Sequence, residues 1–562
     1  MDSQALPVPH PHGAARRGEE RPYARRKPEA SDLYQIVQQE LETFLAGAAA
    51  RERPVPRFVA RELRAFLRCG ILAHGFLRVH CDGCGLDRVV AFSCKGRGFC
   101  PSCGGRRMAD TAAHLVDRVL PEVPVRQWVL SLPFALRYRL AYDAPLVRDV
   151  LAVFVRCVFA SLRRRARKQW AIAHGHCGAV TFIQRFGDAL NLNVHLHSLI
   201  LDGVYERSAG GTPRFHPLPP PDDTEVERVA RQVARRLARL LERRGLGDDA
   251  SAEGDILATE EPLLATLYAA SITSRVATGS RSGQRVLRMG DRIDADDLPV
   301  LQRERCASVG GVSVHANVAV PARDRRRLER LCRYGARPAI ATGRLSRLED
   351  GRLLYRLKHR WRDGTTHVVF TPQELVEKLA ALIPPPRFHL VRYHGVLGPC
   401  ASERDRIVPA GQGARLTQSP SNPESASTPS RVDGDPACAT SAETPDSASI
   451  EMLDSMRERE LLTTPPAIPA ARAGATIRPD AARARRLAWA ELMKRVFAID
   501  VLECPRCRGP MRILAAIHPP ETTSAILACM DLPVRAPPLA PARRDDGFNG
   551  EAADQAPADF ES

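Results

Sequence analysis

The stretch "HCDGCGLDRVVAFSCKGRGFCPSCGGRR" (residues 80–107) constrains this chain most. It holds Cys81-x-x-Cys84, fifteen intervening residues, then Cys100-x-x-Cys103. Each C-x-x-C turn brings two thiolates to one side of a small knuckle. Two knuckles supply the four ligands of a tetrahedral Zn²⁺ site. The spacing predicts one structural zinc held by Cys81, Cys84, Cys100 and Cys103. Four thiolates leave no open coordination position, so such an ion stabilises a fold and does no chemistry. Cys94 is a fifth thiol able to substitute as a ligand, and His80 reads as a bystander. Lys95, Arg97, Arg106 and Arg107 surround the knuckles and suit phosphate contact. Cys504-x-x-Cys507 is half a site; it reads as free structural thiols ahead of a second knuckle with unidentified ligands.

The chain has 562 residues and fifteen cysteines. Its N-terminal stretch lacks a signal peptide's apolar core, so the cysteines read as thiols and metal ligands, not disulfides. No apolar run approaches the ~18–20 residues of a membrane span. A soluble cytoplasmic, nucleoid-associated protein without a membrane partner is expected. The net charge of +17 favours a polyanionic partner, most often nucleic acid.

The expected organisation is a disordered N-terminus (1–31), a zinc-binding domain (32–110), a catalytic domain (120–400), a disordered linker or insert (401–480), a small C-terminal region (481–535) and a disordered tail (536–562). Ser31 offers a helix cap. Residues 110–176 read as helical segments interrupted by prolines. "GAVTFIQRF" and "LNVHLHSLILDGVY" read as two strands joined by a turn near Gly187. "ARDRRRLERLCRYG" reads as a basic helix ended at Gly335. The fold class expected is α+β, a central antiparallel sheet flanked by helices and preceded by a helical, zinc-bearing module.

His195 and His197 lie at i and i+2, so in a strand both imidazoles project from one surface. A hairpin whose register centres between Ala189 and Leu190 puts Gln184 opposite His195, and paired residues share a face. Two nitrogens and an amide oxygen with open positions suit a divalent ion that also holds phosphate oxygens. A one-residue slip would turn Gln184 away. Such a site needs a nucleophile. Tyr334 has Arg330, Arg333 and Arg337 nearby to hold phosphates and lower the phenol's pKa. Tyr393 is the runner-up.

The cysteine cluster, the His-hydrophobe-His strand and the Arg-Tyr-x-x-Arg-Pro context occur in that order. Together with "SCKGRGFCPSCGGRRMAD" and "WRDGTTHVVFTPQELVEKLAALIPPPRFHLVRYHGVLGP", they resemble the HUH rolling-circle transposases of bacterial insertion sequences, the IS91-like group and its common-region relatives. The likeness covers roughly residues 35–400, with a weaker match near 485–530. It implies an enzyme that nicks and joins single-stranded DNA at element ends and targets. His195 and His197 match the family's metal pair, for Mg²⁺ or Mn²⁺, and Tyr334 its nucleophile, forming a 5′-phosphotyrosine link. Some members carry a second tyrosine four residues earlier, where this chain has Arg330. The alternatives are a zinc-dependent DNA-binding protein, an inactive relative, or a replication-initiation nuclease with the same chemistry.

Overall fold

The computed structural model describes residues 25–207, 211–246, 255–290, 304–409, 489–497 and 500–543. Most of the expected N-terminal arm, linker and tail lies outside them. The described residues belong to one compact unit.

Helix α1 (Asp32–Ala50) starts at Ser31, whose hydroxyl accepts the Tyr34 N–H. Helix α2 (Arg57–Arg68) follows, and both bury apolar stripes in the main core. The cysteine-rich stretch folds as a hairpin, β1 (Phe76–His80) and β2 (Asp87–Ala91), and leads into α3 (Pro101–Arg118). Next come β3 (Val125–Ser131), α4 (Phe134–Tyr142), α5 (Ala144–Trp170), β4 (Gly178–Phe186) and β5 (Leu192–Leu201). β6 (Gly203–Glu206) and β7 (Arg214–Pro217) make a small ribbon before α6 (Asp223–Arg243), α7 (Ile256–Glu260) and α8 (Pro262–Ile272). The chain continues through β8 (Leu287–Gly290), β9 (Cys306–Val309), β10 (Val312–His315), β11 (Ala319–Val320) and α9 (Arg325–Gly335). It closes with β12 (Leu345–Arg347), β13 (Leu353–Arg356), β14 (Thr365–Phe370), α10 (Pro372–Leu382), β15 (Val391–Gly395), α11 (Arg404–Ile407), α12 (Trp489–Phe497), β16 (Arg512–Ile517) and α13 (Glu521–Cys529).

The fold is α+β. Its central sheet runs β15-β4-β5-β3-β10-β9, with β11 also beside β3, and its pairings are antiparallel. Residues 125–131 differ from the helical expectation. They form β3, an inner strand hydrogen-bonded to β5 and β10. The apolar stretch between Pro124 and Pro133 is too short for a stable helix, and Val125, Trp128 and Val129 favour a pleated, buried surface.

Alternation on β4 and β5 sorts the core into two layers. Ala179, Ile183, Val194, Leu196 and Ile200 join the large core formed with α4, α5 and α8. Val180, Phe182, Leu199 and Leu201 face the other way, against Leu115 and Val116 of α3 and Leu328 and Cys332 of α9. Helix α9 approaches the sheet closely at its last residue. A Cβ on Gly335 would lie 2.5 Å from the Phe182 ring. Gly335→Ala is therefore expected to destabilise the protein by about 1–3 kcal/mol through overpacking. Gly343→Ala, where a Cβ meets nothing within 4 Å, is the control and should stay within about 0.5 kcal/mol. Urea denaturation midpoints read the difference, and equal midpoints would refute the close approach.

Candidate active site and zinc centres

The cysteines do not form the single Cys81, Cys84, Cys100 and Cys103 site that spacing suggests. Cys81 and Cys84 meet Cys504 and Cys507, whereas Cys100 and Cys103 meet Cys69 and Cys94. The reason is topological. Hairpin β1–β2 separates the two C-x-x-C knuckles, so Cys81 and Cys84 are closed by Cys504 and Cys507 from far along the chain, and Cys100 and Cys103 by Cys69 and the nearby Cys94. In the first group Cys94 and Cys103 are 3.4 Å apart, and Cys69 lies 3.7 Å from both Cys100 and Cys103. In the second group Cys81–Cys507 and Cys84–Cys504 are each 3.4 Å apart. Zn–S bonds of about 2.3 Å in a tetrahedron put sulfurs about 3.8 Å apart, so both groups fit zinc. None of the eight is in a disulfide. Both groups suit structural Zn²⁺, and the C-terminal C-x-x-C pair is half of one.

Cys94 thus belongs to a four-thiol group and is not a spare, and Cys69, at the end of α2, joins it without any motif to announce it. Pairing of β16 with β1 delivers Cys504 and Cys507 to the second centre. His80 pairs with Asp87 at 2.9 Å. Arg107 donates to the Gly96 and Lys95 carbonyls at 3.1 and 3.2 Å, bracing the knuckle loop, while Arg106 is exposed on α3.

Strands β4 and β5 pair with Gln184 opposite His195, the register that the turn implies. Gln184, His195 and His197 therefore share the face covered by α3 and α9. The Gln184 amide N–H₂ donates to the Tyr334 and Gly335 carbonyls, each at 2.9 Å, which ties β4 to the end of α9. Its Oε1 is buried and has no hydrogen-bond partner, and the same is true of His197 Nε2. Buried acceptors without donors are costly, and a cation removes that cost. His195 Nδ1–H donates to the Asn193 carbonyl at 2.8 Å, which leaves its Nε2 lone pair available. Gln127 lies 2.9 Å from His197 Nδ1. As placed, the Gln127 amide nitrogen faces the ring; with the amide turned so that its oxygen accepts Nδ1–H, the lone pair lies on His197 Nε2.

Burial holds His195 down to about 4 and His197 well below the ordinary imidazole range, with the Arg337 charge adding to both. Both rings are neutral at pH 7, the form that ligates metal. The donor set of two imidazoles and one amide oxygen fits a divalent ion.

Tyr334 is half-buried at the end of α9, its ring centroid 5.7 Å from that of His197. Arg337 stacks 4.4 Å over the ring and the Lys358 ammonium lies 4.8 Å from its centroid. Arg330 is exposed one turn earlier on α9. Arg333 is engaged with Glu329 at 2.6 Å and is less available to phosphate than expected. Tyr393 lies on β15 opposite Val180, packed against the second core cluster. Two residues on this face were missed from sequence. Gln127 is on the unforeseen strand β3. His315 on β10 pairs with Val129, which pairs with His197, and its charge acts on His197.

Metal analysis of purified protein is expected to give two zinc ions per chain. Cys69→Ser should lose one, and Cys507→Ser the other. One zinc per chain, insensitive to Cys69→Ser, would restore the single-site reading.

Residues 36–132 match the family described as "Transposase zinc-binding domain", of IS91-type transposases, and residues 178–405 match that described as "Putative transposase". No curated protein and no solved structure matches the chain. Among the described residues no helix is long and apolar enough to cross a membrane. The two matches follow in order and together span more than half of the sequence; the chain belongs to the IS91-like transposases, enzymes that act on DNA.

Proposed function

We propose that the chain nicks and rejoins single-stranded DNA at element ends through a tyrosine of the HUH type. The observation that carries this reading is the convergence of buried, unpartnered Gln184 Oε1 and His197 Nε2 with His195, beside Tyr334. A divalent ion such as Mg²⁺ or Mn²⁺ held by these three residues would withdraw charge from the scissile phosphate. Gln184 fixes the Tyr334 backbone and the candidate ligand set at once, so the phenol and the phosphate site share one support. Arg337 and Lys358 flank the phenol and bring positive charge to where phosphate oxygens would sit.

In the reaction the Tyr334 oxygen bonds to phosphorus as the bond to the 3′-oxygen breaks. The phenol proton passes to solvent, and the 3′-oxygen leaves as a hydroxyl after taking one up. The 5′-phosphotyrosine link conserves the phosphodiester, so rejoining needs no nucleotide. Arg330 stands where a second tyrosine would be, so cleavage and rejoining use one tyrosine. Location in the cytoplasm with the nucleoid follows from this substrate.

The test is an oligonucleotide nicking assay with Mn²⁺ and denaturing gels. Wild type should form a covalent protein–DNA adduct, and Tyr334→Phe none. His195→Ala with His197→Ala should lower adduct yield at least about 100-fold while leaving both zinc ions bound. Loss of the adduct in Tyr393→Phe, with Tyr334→Phe active, would sink the assignment.

A further inference from the structure

A cavity of about 90 Å³ opens between the first zinc knuckle, the end of β4 and the residues that follow Tyr334. Its lining includes Arg97, Arg107, Arg185 and Arg337. Arg185 follows Gln184 on β4 and is 4% exposed. It donates to the Ala141 carbonyl at 2.6 Å and to the Tyr268 hydroxyl at 3.3 Å, and its Nε has no partner. Its guanidinium lies 5.3 Å over the Phe388 ring, and Arg97 donates to the Phe388 carbonyl from the knuckle loop. Burial, Arg107 and Arg185 all weigh against the Arg97 charge, with Glu62 in its favour, while the titratable group acting in favour of the buried Arg185 charge is the Tyr268 hydroxyl.

A buried cation without an anion is expensive, and a second cation beside it adds to the cost. Glu62 is the carboxylate at this loop; its Oε1 accepts from the amides of Arg97 and Gly98, and its charge offsets part of that of Arg97 and Arg107 but does not reach Arg185. Arg337 completes the wall, its Nε also without a partner. The same side chain stacks on Tyr334 and acts on His195 and His197, and Gln184 and Gly335 also line the cavity, so it borders the candidate active site.

We infer that this cavity is a phosphate-binding subsite that joins the zinc knuckle to the active site, with Arg97, Arg185 and Arg337 as its cationic walls. Its volume equals about six to nine water-sized spheres of 10–15 Å³, room for a phosphate group but not for a nucleoside. Guanidinium forks match phosphate oxygens in pairs, and apolar lining residues such as Pro384 and Leu390 lower the local dielectric and strengthen the attraction. The inference deepens the proposed function, since a strand held here leads towards Tyr334. The phosphate group can come from a DNA strand or from free phosphate.

The experiment uses the full zinc-loaded chain and two probes, inorganic phosphate and a single-stranded 12-mer. Thermal melts compare phosphate with chloride at equal ionic strength, and fluorescence anisotropy reads 12-mer affinity. Wild type and Tyr334→Phe should both gain Tm with phosphate. Arg97→Met should lose that gain and bind the 12-mer at least about fivefold more weakly. Arg185→Gln, checked for fold by circular dichroism, is the second variant and should behave alike. Saturating phosphate that weakens 12-mer binding at least threefold assigns the subsite to a strand phosphate; phosphate binding without competition assigns it to free phosphate. Absence of any phosphate-specific gain in wild type, or an unchanged gain in both variants, overturns the inference. Because no probe is cleaved, a protein that binds phosphate but forms no adduct would sink the proposed function and leave the subsite standing.

Discussion

The register of β4 on β5 is the constraint on which the site rests. A period of two gives each strand one buried face towards α4, α5 and α8 and another towards α3 and α9. Apolar residues at Ala179, Ile183, Val194 and Leu196 pin the first face. The second face then has no freedom, and Gln184, His195 and His197 must emerge beneath α9. A slip by one residue would send all three into the large core, where their polar atoms would lack partners. Packing energy thus sets the positions of groups that contribute little to stability themselves.

The zinc centres work on the same site from the side. The first holds the start of α3, and α3 packs along α9, so the metal fixes the helix against which the tyrosine helix rests. The C-terminal segment adds a third support. Leu492 of α12 buries against Ala109 and Ala113 of α3, and Arg495 reaches both Asp117 on α3 and Glu329 on α9. Residues far apart in sequence therefore converge on one helix pair.

Local pattern made part of this legible. Ser31 as a cap, the β4–β5 hairpin, the α9 boundary at Gly335 and the shared face of Gln184, His195 and His197 all follow from short-range periodicity and turn chemistry. The zinc ligands did not, because C-x-x-C spacing names pairs and not partners. Two adjacent pairs matched a familiar four-ligand template, yet the intervening hairpin parts them. Cys69 carried no motif at all. β3 hid between Pro124 and Pro133 because a short apolar run has no decisive period, and Gln127 was lost with it.

The second centre joins residues separated by more than 400 positions. Bringing such ends together costs a flexible chain about 5 kcal/mol or more in closure entropy, offset only when the intervening domain has folded or the metal binds. Cys81 and Cys84 therefore lack half of their group until Cys504 and Cys507 have been made. A chain cut before Trp489 would keep Tyr334, His195 and His197 but lack α12 against α3 and two thiols of the second group. The architecture lets residues made long after Tyr334 decide whether its helix pair is fully supported.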